Sequence, residues 1–279
     1  YYLRSVHDVE LISPVLKPPK NLLIIGGGYI GLEIAAVARK KNLKVTLVEA
    51  EDRILKRVAC EKTANFFRNL HKKHKVEIIE GVTVQKMLGE SGYLSTAILS
   101  NGEKLSVDIA IVGIGVTPNV GLAQAAGLEI DNGIKVDCFS QTSDSNILAA
   151  GDCTSFPHKK GRLRLESVGN AIDQGENAAS NLLGRKKSYI AKPWFWSDQY
   201  ETKLQIAGLS HNFDEVIERK DEKGLSFWYF SKGKLIAVDA INDGKAYMIG
   251  KKLIDRGISP DLSYLLDVKF DLKILLKKT

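Results

Sequence analysis

Long hydrophobic runs are missing from this sequence: none approaches the roughly 20 apolar residues that a membrane-spanning helix needs. The opening residues, YYLRSVHDVELISPVL, also lack the basic, apolar and small-residue blocks of a secretory signal. Cysteine is scarce, with three residues that are far apart and odd in number, and no metal-ligand spacing occurs. We therefore expect a cytoplasmic protein without a membrane span or a metal site, in which each cysteine is a small buried side chain.

The overall composition is that of ordinary globular domains. Charged residues make up 26% and hydrophobic residues 44% of the 279 positions, which is enough chain for two or three domains. The net charge of +7 comes mostly from scattered lysine pairs such as Lys72-Lys73 and Lys186-Lys187. These pairs do not gather on one helix or alternate with aromatic residues, so nucleic acid is not an expected partner. They are either solvated faces or a docking surface for an acidic partner.

One stretch near the start has the pattern of a strand, a tight turn and a helix. An apolar run over residues 22–25 is followed by Gly26, Gly28 and Gly31 and then by apolar residues at helical spacing. A second apolar run ends at Glu49, about 20 residues beyond the glycines, which is the spacing of a dinucleotide-binding βαβ unit. The alternative is a glycine-rich turn with no ligand.

Each residue of this motif has a physical role. Gly26 permits the sharp turn, Gly28 lets the backbone approach a pyrophosphate, and Gly31 lets the helix pack closely on the strand. The pyrophosphate would lie at the helix N-terminus, where the helix dipole favours negative charge. Glu49 would accept hydrogen bonds from ribose hydroxyls and repel a 2′-phosphate. The motif therefore predicts binding of NAD(H) in preference to NADP(H).

The first 115 residues can be assigned to one domain around this motif. A lead-in helix precedes it, and a helix over 59–74, a strand over 76–79 and a small antiparallel ribbon follow it. An apolar run over 109–114 predicts the strand that closes the sheet. Gly115 beside it keeps the backbone open for a cofactor, or is a plain turn.

A second pattern occupies residues 116–190. The apolar run 147–150 predicts a strand whose carboxyl end carries Asp152, either as a ligand for a cofactor's polyol chain or as a helix N-cap. An amphipathic helix over 166–183 follows, and its N-terminus would stabilise negative charge on a reduced flavin. Residues 191–279 alternate short strands with one helix and predict a C-terminal α+β domain.

Taken together, the segments YYLRSVHDVE, GGGYIGLE, VGIGVTPN through ILAAGDC, and ESVGNAIDQ followed by PWFWSDQY and LQIAGL carry a resemblance. The chain resembles the FAD-dependent, NADH-oxidising ferredoxin reductases of the putidaredoxin and rubredoxin reductase family. The resemblance implies an α/β protein with a Rossmann-like dinucleotide-binding domain, a partial FAD-binding domain and a C-terminal α+β domain. The last pair of segments is the most specific, because the disulfide reductases with the same nucleotide folds end in a different domain.

The resemblance also implies roles for residues. Tyr29, Ile30 and Glu33 would lie near the nicotinamide, with Gly115 lining the same cleft. Asp152 would hold the flavin ribityl chain or phosphate, and the backbone at Val168 would meet the flavin ring. The remaining residue is Trp196, which would stand near the isoalloxazine, the alternative being a plain core tryptophan.

The implied activity is electron transfer from NADH through FAD to an acidic [2Fe-2S] ferredoxin or a rubredoxin that serves an oxygenase. The cofactors carry this chemistry, so no side chain is expected to act as an acid, base or nucleophile. Two rival functions are another NADH-dependent flavin oxidoreductase on the same scaffold and an NAD-binding module without catalysis. The basic segment 156–164 is a candidate docking loop for the acidic partner, with Lys159 and Lys160 at its centre.

One departure from the family bears on the FAD site. In the family the FAD domain is split, and its first half carries its own G-x-G-x-x-G motif ahead of the NAD domain. The sequence contains one such motif, which belongs by position to NAD. The expectation is a fragment of a longer reductase; the alternative is a shortened protein that does not hold FAD in the family's way.

Overall fold

The computed structural model describes residues 1–159, 161–222 and 224–277. These residues form two compact units. Unit 1 comprises Tyr1–Gly115 and Ser197–Leu204, and unit 2 comprises Val116–Trp196 and Gln205–Thr279. The segment Ser197–Leu204 is therefore a distant part of the sequence that belongs to the first unit.

Unit 1 is built on a four-stranded parallel sheet with the strand order β3-β2-β1-β7. A separate antiparallel sheet, β4-β5-β6, is inserted between β3 and β7, as the sequence predicts. The elements in chain order are α1 (Val6–Ile12), β1 (Asn21–Ile25), α2 (Tyr29–Lys40), β2 (Lys44–Glu49), α3 (Glu61–Lys73), β3 (Val76–Glu80), β4 (Val84–Glu90), β5 (Tyr93–Leu99), β6 (Lys104–Ser106) and β7 (Ile109–Val112).

The sheet of unit 1 is covered on both faces, which explains why its central strand is a continuous apolar run. Leu22, Leu23 and Ile24 of β1 are all buried, as expected for parallel strands with helices or ribbons on each side. On one face, Leu23 belongs to a cluster with apolar residues of the antiparallel ribbon, among them Ala97 and Leu99. The parallel pairing of β1 with β2 sets Ile25 opposite Val48, so the carboxyl ends of the two strands lie side by side for the site described below.

Unit 2 contains a three-stranded sheet, β10-β9-β8, and most of a five-stranded sheet, β11-β12-β15-β14-β13, in which β11 and β12 each have residues that belong to unit 1. The Rossmann-like sheet and the C-terminal α+β part confirm the predicted fold class. Its elements are α4 (Gly121–Ala125), β8 (Ile134–Lys135), β9 (Thr154–His158), β10 (Gly161–Leu163), α5 (Val168–Leu182), β11 (Trp194–Gln199), β12 (Thr202–Gly208), β13 (Glu215–Lys220), β14 (Leu225–Ser231), β15 (Lys234–Ile241), α6 (Gly244–Arg256), α7 (Leu262–Leu266) and a 3-10 helix (Leu272–Leu276).

The C-terminal core forms where α6 packs on the five-stranded sheet. Trp228 and Val238 are fully buried against apolar residues of α6. A Cβ placed on Gly250 of α6 would lie 2.6 Å from a methyl group of Val238, so the helix approaches the sheet too closely for a larger residue. The buried guanidinium of Arg219 donates hydrogen bonds to five backbone carbonyls between Tyr264 and Phe270.

Two sequence predictions about secondary structure are wrong. The apolar run 147–150 forms a single bridge, between Gln141 and Leu148, in place of a strand. Its backbone bonds to the preceding turn, with the Ala149 N–H donating to the Ser140 carbonyl at 3.0 Å. None of these four residues is fully buried, and Ile147 is exposed, so the run neither enters the core nor pairs along a neighbouring strand. The predicted loop 156–164 is instead largely the β9–β10 hairpin.

Neither a membrane-spanning helix nor a metal site occurs among the described residues. There, no helix is long and apolar enough to cross a membrane. Within the same ranges, no group of three potential ligands could hold a metal ion. None of the three cysteines, all of which are described, forms a disulfide, and only Cys60 is fully buried while Cys138 and Cys153 are half-buried. The expectation of burial was therefore wrong for two of them.

Candidate functional site

The turn between β1 and α2 needs glycine at two positions for lack of space. Gly26 has a φ of +112°, and a Cβ there would lie 2.4 Å from the Gly113 carbonyl oxygen. A Cβ on Gly31 would lie 2.0 Å from the carbonyl oxygen of Gly26. These contacts are too short for any side chain. Gly26 therefore lets the turn pass close to the chain after β7, and Gly31 lets α2 approach the end of β1.

Gly28 differs from these two because nothing crowds it. A Cβ placed on Gly28 would meet no atom within 4 Å. Gly28 is also the N-cap of α2, and no side chain caps this end of the helix. An uncapped N-terminus at the carboxyl end of a parallel strand is a site where backbone N–H groups bind phosphate.

Glu49 closes the turn from the neighbouring strand. Its Oε2 accepts a hydrogen bond from the Gly27 N–H at 2.6 Å, and its Oε1 accepts one from the Glu51 N–H at 2.8 Å. A Cβ on Gly27 would lie 2.7 Å from a methyl group of Ile54 and 2.9 Å from Glu49 Oε2. The middle glycine is therefore a site residue that the sequence motif does not reveal, because the motif leaves its position free.

Gly115 lies just beyond β7, the strand that pairs with β1 on the other side. Its φ is +124°, and a Cβ there would meet nothing within 4 Å. The carboxyl ends of β2, β1 and β7 thus bring together Glu49, the glycine turn and Gly115 at one edge of the sheet. Ligands of open α/β sheets bind at this edge.

Tyr29, Ile30 and Glu33 follow on the first turns of α2. Ile30 is 48% exposed and leaves its side chain available at the surface. Glu33 is half-buried, and burial raises the pKa of its carboxyl group, an effect that its hydrogen bond from Ser197 opposes. The Ser197 Oγ donates to Glu33 Oε1 at 2.5 Å.

Two further polar residues, Gln199 and His71, continue the hydrogen bonding from Ser197, and sequence reasoning did not identify them. Gln199 Nε2 donates to Ser197 Oγ at 3.1 Å, and Gln199 Oε1 lies 2.8 Å from His71 Nε2. His71 lies on α3, far from both other residues in sequence. No local signal connects these positions, so only the folded chain shows that they are neighbours.

In unit 2, Asp152 lies in the turn that precedes β9. It is exposed, and no helix begins there, so the N-cap alternative is wrong. Gln174 of α5 holds the turn, since its Oε1 accepts from the Gly151 N–H and the Thr154 Oγ, each at 2.9 Å. Gln174 Nε2 is buried and has no acceptor among the residues that the structure describes.

The N-terminus of α5 lies beside an aromatic pair. Ser167 caps the helix, accepting from the Asn170 N–H at 3.1 Å, and the next residue, Val168, is 54% exposed. A Cβ on Gly169 would lie 2.1 Å from Trp194 Nε1, and the Trp194 ring stacks on Trp196 with centroids 5.5 Å apart. Trp196 is 38% exposed, which is unlike a core tryptophan.

The basic segment that follows Asp152 has fewer free charges than its sequence indicates. The Arg162 guanidinium donates to the Val136 carbonyl at 2.7 Å and lies 3.6 Å from an Asp131 carboxylate oxygen. Arg164 pairs with Glu166. Lys159 at the hairpin tip is exposed, and Lys160 lies outside the described residues.

Comparisons with known proteins indicate the family. A family model described as pyridine nucleotide-disulphide oxidoreductase matches residues 1–175, and a reductase C-terminal model matches residues 194–276. Rhodocoxin reductase of Rhodococcus erythropolis is 37% identical over 282 aligned positions, which cover 100% of this chain and 66% of the relative. Putidaredoxin reductase CamA of Pseudomonas putida is 38% identical over 278 positions, covering 98% of this chain and 66% of the relative. The chain thus spans just under two thirds of the length of these relatives.

Solved structures match over nearly the whole chain. The ferredoxin reductase for the CYP199A2 system of Rhodopseudomonas palustris superposes with a TM-score of 0.95 at 37% identity, over 98% of this chain and 69% of that one. The reductase in a covalent putidaredoxin reductase–putidaredoxin complex gives the same TM-score and identity, over 99% of this chain and 68% of that one.

Proposed function

Because the chain belongs to the pyridine nucleotide-disulphide oxidoreductase family and carries its reductase C-terminal domain, we propose that it forms part of an NADH-dependent ferredoxin reductase. It would pass electrons from NADH through FAD to a [2Fe-2S] ferredoxin or rubredoxin that serves an oxygenase. The relatives bear names of this kind, among them rhodocoxin reductase and putidaredoxin reductase. The observation that carries the proposal is the glycine turn of β1–α2 closed by Glu49.

The residues of unit 1 fit NADH. The open position at Gly28 and the uncapped α2 N-terminus accommodate a pyrophosphate. The Glu49 carboxylate, already oriented by two backbone N–H groups, has further lone pairs for ribose hydroxyls. Its negative charge disfavours the 2′-phosphate of NADPH. Tyr29, Ile30 and Glu33 would face the nicotinamide end, with Gly115 completing the cleft.

The residues of unit 2 fit one side of an FAD site. The buried Gln174 Nε2 lacks an acceptor among the described residues, directly behind the turn that exposes Asp152. The N-terminus of α5 at Val168 and the exposed Trp196 offer a helix dipole and an aromatic surface. The chemistry that FAD would supply when bound is the change from two-electron transfer, from NADH, to one-electron transfer, to the ferredoxin.

The side chains named here bind, orient and exclude water, and none is required as an acid, base or nucleophile. A net charge of +7 suits an acidic ferredoxin, which opposite charge would steer into encounter. We assign residues 1–115 to NADH binding, 116–190 to the second half of the FAD domain and 191–279 to the C-terminal reductase domain. The location is cytoplasmic, in keeping with three cysteines that form no disulfide, all within the described ranges.

The first test measures the binding of NADH and of NADPH to the purified chain through the fluorescence of the reduced nicotinamide. NADH should bind at least about tenfold more tightly than NADPH, because the Glu49 charge repels a 2′-phosphate. Glu49→Gln keeps an acceptor for the Gly27 N–H and should reduce the ratio of the Kd for NADPH to the Kd for NADH. Glu51→Gln should leave this ratio unchanged. Absence of binding to either nucleotide would refute the proposed function.

The second test is the visible spectrum of the chain before and after anaerobic addition of NADH. Flavin bands that bleach on NADH would support the reductase activity in this chain. A colourless chain that binds NADH would instead favour the second candidate, an NAD-binding module without catalysis on its own. Rapid turnover with oxygen or quinones and none with ferredoxin would favour a different flavin oxidoreductase.

A further inference from the structure

A row of polar side chains crosses the interior of unit 1 and ends at Glu33. Tyr200 OH lies 3.3 Å from His71 Nδ1, and His71 Nε2 lies 2.8 Å from Gln199 Oε1. Gln199 Nε2 donates to Ser197 Oγ at 3.1 Å, and Ser197 Oγ donates to Glu33 Oε1 at 2.5 Å. His71, Ser197 and Gln199 are completely buried. Buried polar groups in such a row must all be paired, so each bond constrains the next.

The row has a fixed direction while Glu33 is ionised. Burial lowers the pKa of His71 to about 4, so its ring is neutral at pH 7 and has one donor and one acceptor nitrogen. A carboxylate accepts only, so Ser197 must donate to Glu33 and accept from the Gln199 amide. Gln199 Oε1 then faces His71, which must carry its proton on Nε2 and accept from the Tyr200 hydroxyl at Nδ1. Every donor points toward Glu33.

Protonation of Glu33 permits the opposite direction. A protonated carboxyl donates to Ser197, Ser197 donates to a flipped Gln199 amide, and that amide donates to His71 Nε2. His71 must then hold its proton on Nδ1. With every group in the row paired, a His71 proton on Nδ1 therefore requires Glu33, two side chains away, to be protonated. An amide cannot pass a proton onward as a hydroxyl or imidazole can, so the row orients groups and does not conduct protons.

We propose that Ser197, Gln199 and His71 are positioning residues that hold the Glu33 carboxylate ionised and oriented, and that they thereby favour NAD⁺ over NADH at the nucleotide site. This inference rests on the proposed NAD function, which puts Glu33 at the nicotinamide end. The oxidised nicotinamide carries a positive charge and the reduced ring does not, so a fixed carboxylate attracts only the oxidised form.

The charged groups beside this row act on it in both directions. Asp198 raises the pKa of Glu33 through its charge, while its backbone N–H donates to the Glu33 carboxylate and lowers it. Burial has the larger effect and favours the neutral acid. The hydrogen bond from Ser197 works against burial, so this hydroxyl favours the charged form of Glu33. The ring of His74 stacks on Tyr200 with centroids 3.6 Å apart, and its positive charge when protonated lowers the pKa of His71. Burial raises the pKa of Tyr200, and the charge of Arg39 opposes this effect.

The tautomer is tested without any nucleotide, by a long-range ¹H–¹⁵N spectrum of the chain labelled with ¹⁵N-histidine. At pH 7.5 a neutral His71 with its proton on Nε2 is expected. On acidification, the Nδ1–H form should appear as Glu33 titrates and before the ring becomes charged. A proton on Nδ1 at pH 7.5, or a ring that becomes charged near pH 6.5, would overturn the proposed direction of the row.

The effect on nucleotide selectivity is tested by separate Kd values for NAD⁺ and NADH. Ser197→Ala should raise the Kd for NAD⁺ by about tenfold and the Kd for NADH by less than about twofold. Ser197→Thr keeps the hydroxyl and should retain selectivity, and Ser95→Ala, which removes a hydroxyl bonded to Leu88 on the ribbon, should change neither Kd. Equal weakening of both nucleotides would indicate a merely structural role and overturn the inference. Failure of the unaltered chain to bind either nucleotide would refute the proposed function instead.

Discussion

Replacing Gly28 by alanine separates the binding role of the glycine turn from its folding role. Gly28 has φ −76° and ψ −179°, which alanine adopts without strain. A Cβ at this position meets nothing within 4 Å in the protein itself. The new methyl group would point into the space in which a pyrophosphate approaches the backbone. Gly28→Ala should therefore damage nucleotide binding while leaving the fold intact.

The magnitudes follow from these contacts. Alanine is a poorer N-cap than glycine but restricts the unfolded chain, and the two effects nearly cancel, so stability should change by less than about 1 kcal/mol. Hydrogen bonds to a charged phosphate contribute about 1.5–3 kcal/mol each. Losing one or two of them costs about 3 kcal/mol, which weakens binding roughly a hundredfold.

Gly31→Ala is the matched comparison, because its Cβ would lie 2.0 Å from the Gly26 carbonyl oxygen. That variant should lose stability as well as binding. The assay pairs an NADH titration with urea unfolding followed by circular dichroism. The reasoning fails if Gly28→Ala binds NADH as tightly as the unaltered chain, or if it is destabilised as much as Gly31→Ala.

Three further predictions concern stability and docking. Arg219→Met leaves buried carbonyls without their donor and should lower the free energy of unfolding of unit 2 in urea by about 3–5 kcal/mol. The control Lys220→Met, at the exposed neighbouring position, should have almost no effect. Tryptophan fluorescence reports the unfolding of this unit alone, since all three tryptophans belong to it. Burial lowers the pKa of His71 from its ordinary value of 6.5 to about 4 in the folded chain. The contribution of His71 to the stability of unit 1 should therefore be complete above pH 6.5 and should fall by up to roughly 3 kcal/mol toward pH 4. Amide hydrogen exchange would detect this loss, and a stability that does not change with pH would contradict it. In the flavin-loaded reductase, charge reversal at Lys159 and Lys160 should raise the KM for an acidic ferredoxin at low salt but leave NADH–ferricyanide turnover unchanged, and an unaltered KM would remove this segment from the docking surface.

The proposed nucleotide site could be predicted from sequence because its signal is local. The glycines and Glu49 lie within one βαβ unit, where strand and helix periods fix which residues meet at the carboxyl edge. The link between Gly27 and Glu49 was missed since the motif constrains spacing but not which backbone donor the carboxylate accepts. The predicted strand at 147–150 failed for a related reason: an apolar run does not name a partner strand, and here the run is not buried either.

The row that ends at Glu33 lies beyond such reasoning because its members come from three separate parts of the chain. Glu33 and Ser197 are 164 positions apart, and His71 and Gln199 are 128 positions apart. Helical or strand periodicity relates residues over a few positions only. A buried histidine on α3 is by itself indistinguishable from a core residue, and nothing in its neighbourhood in sequence indicates its partner.

Strand β11 reverses the usual rule of burial. Side chains alternate along a strand, so Trp196 and Asp198 share one side while Ser197 and Gln199 share the other. The tryptophan is exposed and the serine and glutamine are buried, although hydrophobicity alone predicts the opposite. A reversal of this kind lowers stability unless the buried polar groups are paired, and here they are, through Glu33 and His71. Sequence rules fail most often where a site imposes its own requirements, so this failure in β11 is itself an argument that both sides of the strand serve function.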